Sequence, residues 1–531
     1  MALRFAERTV EAYRFPLLVR HLLHSALATG SRAELVGSDG SRRDYPAFAD
    51  RVGRLAQMLC DLGVGEGDVV AVMDWDSHRY LETYFAVPMM GAVLQTVNVR
   101  LSPAQIAFTL NQTGARTLLL HADFETLYAS FAGDVPCIGR IVAMHDGVQG
   151  DLSAPFMAGE YEALLAATGH GFAFRDFDED ALATTFHTTG TTGDPKAVTF
   201  SHRQLVLHTL TAMAALGTRP DAQSFRDTDV YMPITPMFHV HAWGLPYVAT
   251  LMGVKQVYPG RYIADRLVET KEREGVTFSH GVPTIIQMMV DAIGTRRLSG
   301  PWKMVVGGSL LPLALHEAAA RAGISTFAGY GMSETGPILT LARDDGSAPD
   351  VCCHAGRPVP LVQLRLDEGE VTVRSPWLTH GYVGNADASA DLWRDGWLHT
   401  QDVGTIEPNG DLVIRDRIKD VIKSGGEWVS SAEMEDLTLR HPAVAAACYV
   451  GVADPFWGER PVAFVVPRGP MPTLAEIHDH LSAFVHSGRI SRYALPDRLI
   501  AIDTLPRTSV GKIDKKALRA TLAGSTAGVA A

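Results

Sequence analysis

Residues 188–196 carry the densest concentration of groups that can bind phosphate. These nine residues contain four threonines, two glycines and a lysine, and they follow the mostly apolar run 181–186. Glycine permits positive φ and close backbone approach, so successive N–H groups can surround phosphate oxygens. A polar turn is the alternative, and the spacing is not that of the G-x-x-x-x-G-K-[ST] loop. We nevertheless predict a phosphate loop formed by Thr188, Thr189, Gly190, Thr191, Thr192, Gly193 and Lys196.

Six further short motifs follow this loop in order, at residues 236–240, 307–309, 329–335, 397–402, 416–420 and 506–512. Together with the loop they resemble the motifs of the adenylate-forming superfamily, which includes acyl-CoA synthetases, luciferases and peptide-synthetase adenylation domains. The pattern around the motifs fits nearly the whole chain. Bacterial medium- and long-chain fatty-acyl-CoA synthetases, and their short-chain relatives for branched or methylthio acids, are the most similar members.

The resemblance implies an ATP- and Mg²⁺-dependent enzyme that adenylates a carboxylic acid, releases pyrophosphate and transfers the acyl group to coenzyme A. Glu334 and Thr188 would hold Mg²⁺, a cation that prefers hard oxygen ligands. Asp402 would bind the ribose hydroxyls with help from Arg417, and the ring of Tyr330 would stack on adenine. The other residues implied in nucleotide or coenzyme A binding are Gly308, Ser309, Gly329, Gly331, Ser333, Lys419, Lys423 and Trp428. Ordinary surface or core roles for Glu334 and Tyr330 are the alternatives.

Lys512 is the strongest catalytic candidate, because the matching lysine of the family binds the carboxylate and the α-phosphate during adenylation. A solvated surface lysine is the alternative. Lys419 matches the family's hinge between a large and a small domain. We therefore predict a large AMP- and acyl-binding domain at 1–416 and a small, mobile lid domain at 417–531.

The acyl site is expected around the motif at 236–240, where His239 resembles the histidine that helps to orient the carboxylate. Trp243 matches a tryptophan that gates the acyl tunnel of bacterial fatty-acyl-CoA synthetases. The predicted pocket comprises His239, Val240, His241, Trp243, Gly308, Met332 and Pro337. Among the histidines, His241 and also His280 are weaker candidates than His239. Core packing is the alternative for His239 and Trp243. Residues 234–244 contain no acidic side chain to hold a substrate ammonium, which disfavours amino acids.

Three positions depart from the family pattern. Ala197 and Gln401 stand where glycine is usual, and His187 replaces the more frequent tyrosine. Since none of the three is a charged participant, we expect them to affect fine geometry and not the reaction class. A carrier protein as acyl acceptor, and a catalytically silent nucleotide-binding member, remain the alternative functions.

The elements that position these motifs follow from the hydrophobic pattern. Short β-branched runs alternate with helical stretches up to about residue 360, which predicts parallel sheets covered by helices. Residues 1–60 are expected to be helical. Alternating runs at 362–366 and 370–374, and a turn at 408–410, predict antiparallel strands of a small β-barrel-like part. The fold class is therefore α/β, with a C-terminal α+β domain.

Composition limits the remaining possibilities. A net charge of −12 argues against nonspecific nucleic-acid binding. No run of apolar residues is long enough for a membrane span. Five cysteines without a C-x-x-C pair, and no secretory leader pattern, favour a cytoplasmic protein. The resemblance also implies a homodimer.

Overall fold

The computed structural model describes residues 3–147, 156–188, 194–507 and 513–526. Within these ranges the chain forms four β-sheets. The α/β class predicted from the sequence is confirmed, with large parallel sheets followed by antiparallel and α+β parts.

A seven-stranded sheet is parallel except for its last pair, Leu182–Thr188 with Lys196–Ser201. The predicted strand Val69–Met73 lies at its centre. The helix His78–Met89 begins after Ser77, whose side chain accepts a hydrogen bond from the Tyr80 amide. In spatial order the strands are Met157–Glu160, Arg140–Met144, Thr117–His121, Val69–Met73, Val93–Thr96, Leu182–Thr188 and Lys196–Ser201.

A nine-stranded sheet has a parallel centre and antiparallel edges. The motifs at 307–309 and 329–335 begin where two of its parallel strands end. In open α/β sheets the carboxyl ends of parallel strands form the usual ligand site. In spatial order the strands are Arg357–Pro358, Thr340–Leu341, Ile324–Tyr330, Trp302–Val306, Phe278–Gly281, Val230–Pro233, Lys255–Val257, Glu34–Val36 and Arg42–Asp44.

The third sheet is antiparallel and contains the predicted hairpin, since Ile406 pairs with Leu412 around the turn at 408–410. Its strands are Gln363–Asp367, Glu370–Arg374, Trp393–Arg394, Trp397–Ile406 and Leu412–Arg417. The fourth sheet lies beyond residue 420 and has its own apolar clusters. Its strands are Ile422–Ser424, Glu427–Val429, Val444–Asp454, Gly458–Pro467 and Arg498–Ala501.

Helices connect and cover these strands. In chain order they are Arg20–Ala28, Tyr45–Asp61, His78–Met89, Pro103–Thr113, Glu125–Ala129, Tyr161–Ala167, His202–Gly217, Leu245–Met252, Ala264–Glu274, Pro283–Ile293, Leu313–Arg321, Ala386–Leu392, Ser431–Leu439, Leu474–His486 and Lys515–Thr526. Among the described residues, none of the helices has the length and apolar character needed to cross a membrane.

The expectation of a helical segment at 1–60 is wrong in part. The helices Arg20–Ala28 and Tyr45–Asp61 are present, but the strands Glu34–Val36 and Arg42–Asp44 separate them. Glu34–Val36 pairs in parallel with Lys255–Val257, more than 200 residues further along the chain. A three-residue strand stabilised by such a distant partner leaves little local pattern in the sequence.

Candidate active site

The two ends of the predicted phosphate loop lie in the antiparallel pair at the edge of the seven-stranded sheet. Thr188 ends one strand and Lys196 begins the next, directly opposite it. Thr189, Gly190, Thr191, Thr192 and Gly193 lie outside the described residues. The Nζ atom of Lys196 lies 4.8 Å from the centre of the Tyr382 ring. The Lys196 ammonium group therefore lies over the ring of Tyr382, a residue that was not predicted from the sequence.

Tyr382 also links Lys196 to Glu334, the predicted metal ligand. Its hydroxyl donates a hydrogen bond of 2.6 Å to Oε1 of Glu334. Glu334 is buried in the short turn Ser333–Thr335, and its carbonyl accepts a 2.9 Å hydrogen bond from the Thr379 amide. Burial and the Glu334 carboxylate raise the pKa of Tyr382, so its hydroxyl stays protonated and can donate. In the sequence, nothing except its aromatic type marks Tyr382 as a residue of the site.

The segment that carries Glu334 folds back on itself. A Cβ atom added to Gly331 would lie 1.2 Å from the Pro337 carbonyl oxygen, so only glycine fits. The Met332 amide donates to Oγ1 of Thr335 at 3.0 Å, which closes the turn. Met332 and Pro337, both predicted pocket residues, thus lie beside Glu334 in the chain fold.

The predicted ribose residues lie together where two sheets meet. Tyr330, at the end of its strand in the nine-stranded sheet, donates a 2.7 Å hydrogen bond to Oδ2 of Asp402. Arg417, opposite Asp402 in the antiparallel sheet, places Nε 3.2 Å from Oδ1. Asp402 raises the pKa of Arg417, and burial together with Asp402 raises the pKa of Tyr330. The carboxylate is buried and accepts from two charged or polar partners, one on each sheet.

Gln401, next to Asp402, has a left-handed backbone with φ of 61°. L-residues pay about 1 kcal/mol or more for this conformation, whereas glycine adopts it freely. The departure from the family's usual glycine therefore leaves backbone strain beside Asp402, the predicted ribose residue. By contrast, Ala197 and His187 pair with each other across regular strands.

We predict that Gln401→Gly leaves the free energy of unfolding unchanged or raises it by up to about 1 kcal/mol, because relief of strain opposes the entropy cost of glycine. Chemical denaturation measures this. Gln363→Gly, at an exposed strand position, is the matched control and should destabilise the protein. Equal destabilisation by both changes would contradict the strain assignment.

The predicted acyl residues lie in a turn of unusual handedness. Val240, His241, Ala242 and Trp243 have φ of 48°, 54°, 46° and 58°, and Gly244 follows with φ of 72°. Four successive left-handed residues other than glycine are costly and persist only when the surroundings hold them. Such strain is concentrated at functional sites.

The side chains of this turn point into aromatic surroundings. The His241 ring lies 5.6 Å from the Tyr84 ring and 5.4 Å from the Phe186 ring. Trp243 lies 5.1 Å from His280, and a Cβ on Gly307 would lie 3.1 Å from the Trp243 ring. His239 begins the turn and is half-buried. The structure thus brings Trp243 together with His280 and Gly307, while Ser309, two residues after Gly307, is exposed.

Burial keeps several histidines near this turn neutral. It lowers the pKa of His208, His241 and His280 to about 3, against about 6.5 in an unfolded chain. The unfolded state therefore binds more protons below pH 6.5, and the free energy of unfolding falls as the pH drops from 6.5 towards 3. We predict this loss in denaturation series at pH 7.5, 5.5 and 4.5.

The exposed variant His170→Gln should show the same pH dependence as the parent protein. A free energy of unfolding that stays constant between pH 7.5 and 4.5 would contradict burial of neutral histidines in the folded state.

The predicted hinge and lid residues lie after the antiparallel sheet. Asp420, next to Lys419, pairs with Arg519 at 2.8 Å, and burial lowers the pKa of Lys419. Lys423 Nζ lies 5.9 Å from the Trp428 ring, which is largely exposed. Trp428 also borders a cavity of about 570 Å³ that it shares with residues of the antiparallel sheet, including Arg415 and Asp416. Lys512 lies outside the described residues.

Asp76 is a further residue of this region that the sequence analysis missed. It is buried at the end of the loop after Val69–Met73, and burial raises its pKa to about 7. Its carboxylate accepts a hydrogen bond of 2.9 Å from the Met237 amide and another from the Tyr262 hydroxyl. The sequence did contain a signal for this residue, because the two aspartates of Asp74-Trp75-Asp76 directly follow a buried strand.

Comparison with known proteins identifies the family. Residues 22–383 match the family described as AMP-binding enzyme, and residues 433–512 match its C-terminal domain family. The chain belongs to the AMP-binding enzyme family. Among its relatives, the long-chain-fatty-acid–CoA ligase of Thermus thermophilus is 39% identical over 526 residues, which cover 94% of each chain. The 3-methylmercaptopropionyl-CoA ligase of Ruegeria pomeroyi is 35% identical, covering 95% of this chain and 97% of its own.

Solved structures of AMP-binding enzymes share the fold. The anthranilate CoA ligase AuaEII, in complex with anthranoyl-AMP, superposes with a TM-score of 0.84 at 23% identity, covering 97% of this chain and 99% of that one. The prediction of an acyl-CoA ligase is confirmed: this AMP-binding enzyme uses ATP and coenzyme A to convert a carboxylic acid to its thioester. The carrier-protein and catalytically silent alternatives are not favoured.

Proposed function

We propose that this ligase acts on aliphatic acids, fatty or short, with the turn at 239–243 binding the acyl group. The supporting observation is the uncharged character of this turn. His241 is held neutral by burial among aromatic rings, and no acidic residue occurs at 234–244. An uncharged chain can be desolvated against such a surface, whereas a substrate ammonium would lack a partner. The names of the ligases from Thermus and Ruegeria agree with this class.

We also propose how the nucleotide is held. Asp402 and Arg417 would bind the ribose, Tyr330 the adenine, and Lys196 with residues 188–193 the phosphates. Gly308, Ser309, Gly329, Gly331 and Ser333 would line the same site. This arrangement is supported by the contacts that already join Lys196, Tyr382 and Glu334, and Tyr330, Asp402 and Arg417.

Glu334 and Thr188 suit Mg²⁺, which takes few protein carboxylates and keeps several waters. Glu334 is a buried carboxylate that one tyrosine hydroxyl already orients. When bound, the cation would offset the repulsion between the carboxylate and ATP. Tyr382 would keep the Glu334 carboxylate turned towards the phosphate loop.

The C-terminal part from residue 417 is proposed to act as a lid that pivots near Lys419. It would present Lys512 for adenylation and then move Lys423 and Trp428 towards the coenzyme A path. Hinges need only a few residues that absorb dihedral change. We further propose a cytoplasmic homodimer, which sedimentation and cell fractionation can test.

The experiment that tests the substrate class is pyrophosphate release with ATP and Mg²⁺ across straight and branched acids of about two to eighteen carbons, with and without coenzyme A. Turnover that depends on coenzyme A for a subset of aliphatic acids supports the proposal. Turnover confined to aromatic or amino acids would overturn it.

A further inference from the structure

The strained turn at 240–243 follows the backbone of residues 237–238. Three side chains from the first half of the chain form hydrogen bonds with this segment. The Met237 amide donates to Oδ1 of Asp76 at 2.9 Å, and the Met237 carbonyl accepts from the Tyr84 hydroxyl. The next carbonyl, that of Phe238, accepts from Oγ1 of Thr96 at 2.9 Å. All three gripping residues are buried. The segment that leads into the turn is therefore fixed from outside the turn.

Asp76 is itself held through both its backbone and its side chain. Its backbone carbonyl accepts from the Gly260 amide at 2.9 Å, and its second carboxylate oxygen accepts from Tyr262. A carboxylate that receives several hydrogen bonds in a buried site has little rotational freedom. Through Asp76, the Met237 amide is therefore held in a fixed position relative to the loop at 260–262 and the strand Val69–Met73.

The far end of the turn is defined by packing. A Cβ on Gly244 would lie 2.8 Å from the His208 ring, and the Trp243 ring lies close to Gly307. Four left-handed residues between two fixed ends would relax if one end were released, because residues other than glycine are strained in this conformation. His241 and Trp243 would then leave their present places.

We propose that Asp76 is a positioning residue of the acyl site: it holds the left-handed turn at 240–243 and so determines how tightly the enzyme binds the acid, without contributing to ATP binding. This inference rests on the assignment of the turn to the acyl group made above. Within the described part of the chain, the hydrogen bonds of Asp76 join it to Met237, Gly260 and Tyr262, none of which is a predicted nucleotide or metal residue. Its effect should therefore be confined to the acid.

The test is steady-state kinetics of Asp76→Ala with the preferred acid. The change leaves the Met237 amide buried without this acceptor, and we expect KM for the acid to rise about tenfold or more. KM for ATP should stay within about twofold of the parent value. Asp76→Asn should restore most of the acid affinity, since its amide oxygen can still accept from Met237.

Asp229→Ala is the matched control. Asp229 is also buried and accepts from Lys303 and Thr277, but these contacts lie away from the turn. It should lower the melting temperature without changing KM for the acid. If Asp76→Ala changes neither KM, or raises both equally, the positioning role is overturned.

If Asp76→Ala does not fold, Asp76→Glu decides, because one added methylene displaces the Met237 amide while keeping an acceptor. A rise in KM for the acid alone supports the role, and an unchanged value overturns it.

Trp243→Ala separates the proposed acyl site from the proposed positioning role of Asp76. If it leaves acid affinity and chain-length preference unchanged, the assignment of the turn to the acyl group fails; if it alters them while the Asp76 variants do not, only the role of Asp76 fails.

Discussion

Lys512→Ala should reduce formation of the acyl-adenylate from ATP and acid by about 100-fold or more, the usual cost of removing one group that stabilises developing charge. Two anions must meet in this step, and the lysine charge offsets their repulsion. Thioester formation from a supplied acyl-adenylate should change little, because the proposed lid movement carries Lys512 away before the thiol attacks. Pyrophosphate release and single-turnover thioester formation measure the two steps separately.

Lys516→Ala, an exposed lysine four residues further on, is the matched control and should preserve both steps. An equal loss of both half-reactions in Lys512→Ala would refute the assignment of Lys512 to adenylation alone. It would also remove the main reason for proposing two positions of the C-terminal part.

Asp402→Ala should raise KM for ATP by about 10- to 100-fold, since hydrogen bonds to a charged group contribute about 1.5–3 kcal/mol. The variant also leaves Arg417 without its closest carboxylate partner, so melting temperature must be recorded beside the kinetics. The ranking of acids should not change, because the acyl turn lies on other elements.

Tyr330→Phe separates the proposed ribose binding by the Asp402 carboxylate from its hydrogen bond with Tyr330. It removes the 2.7 Å hydrogen bond to Asp402 but keeps the aromatic ring proposed to stack on adenine, so KM for ATP should rise far less than in Asp402→Ala. A changed acid ranking in Asp402→Ala would contradict the ribose role.

Several features of the fold and site were predictable because their signal is local. The strand Val69–Met73 and the hairpin around 408–410 follow from runs of β-branched residues and from a turn sequence. The proximity of Asp402 and Arg417 follows from the same hairpin, since the two residues face each other across it. That Tyr330 and Glu334 serve one nucleotide site is implied by the family resemblance of their motif and stays a prediction.

Other features depend on distant contacts and could not be predicted. The left-handed turn at 240–243 consists of residues that seldom adopt positive φ, and the residues gripping its leading segment lie about 140–160 positions earlier. Tyr382 reaches Glu334 across 48 residues of chain, without a motif of its own. Residues 34–36 form a strand by pairing with residues 255–257, far along the chain, and residues 42–44 then pair with 34–36 at the edge of the sheet.

The packing of Gly331 against Pro337 has a consequence for the interpretation of random variants. A substitution at this chemically inert position would force apart the segment that carries Glu334, because the Pro337 carbonyl occupies the space a side chain needs. The damage would resemble loss of a catalytic group although every ionisable residue remained. Inactive variants recovered from a mutational screen should therefore include glycine positions that take no part in the reaction, and extra Mg²⁺ should not restore them.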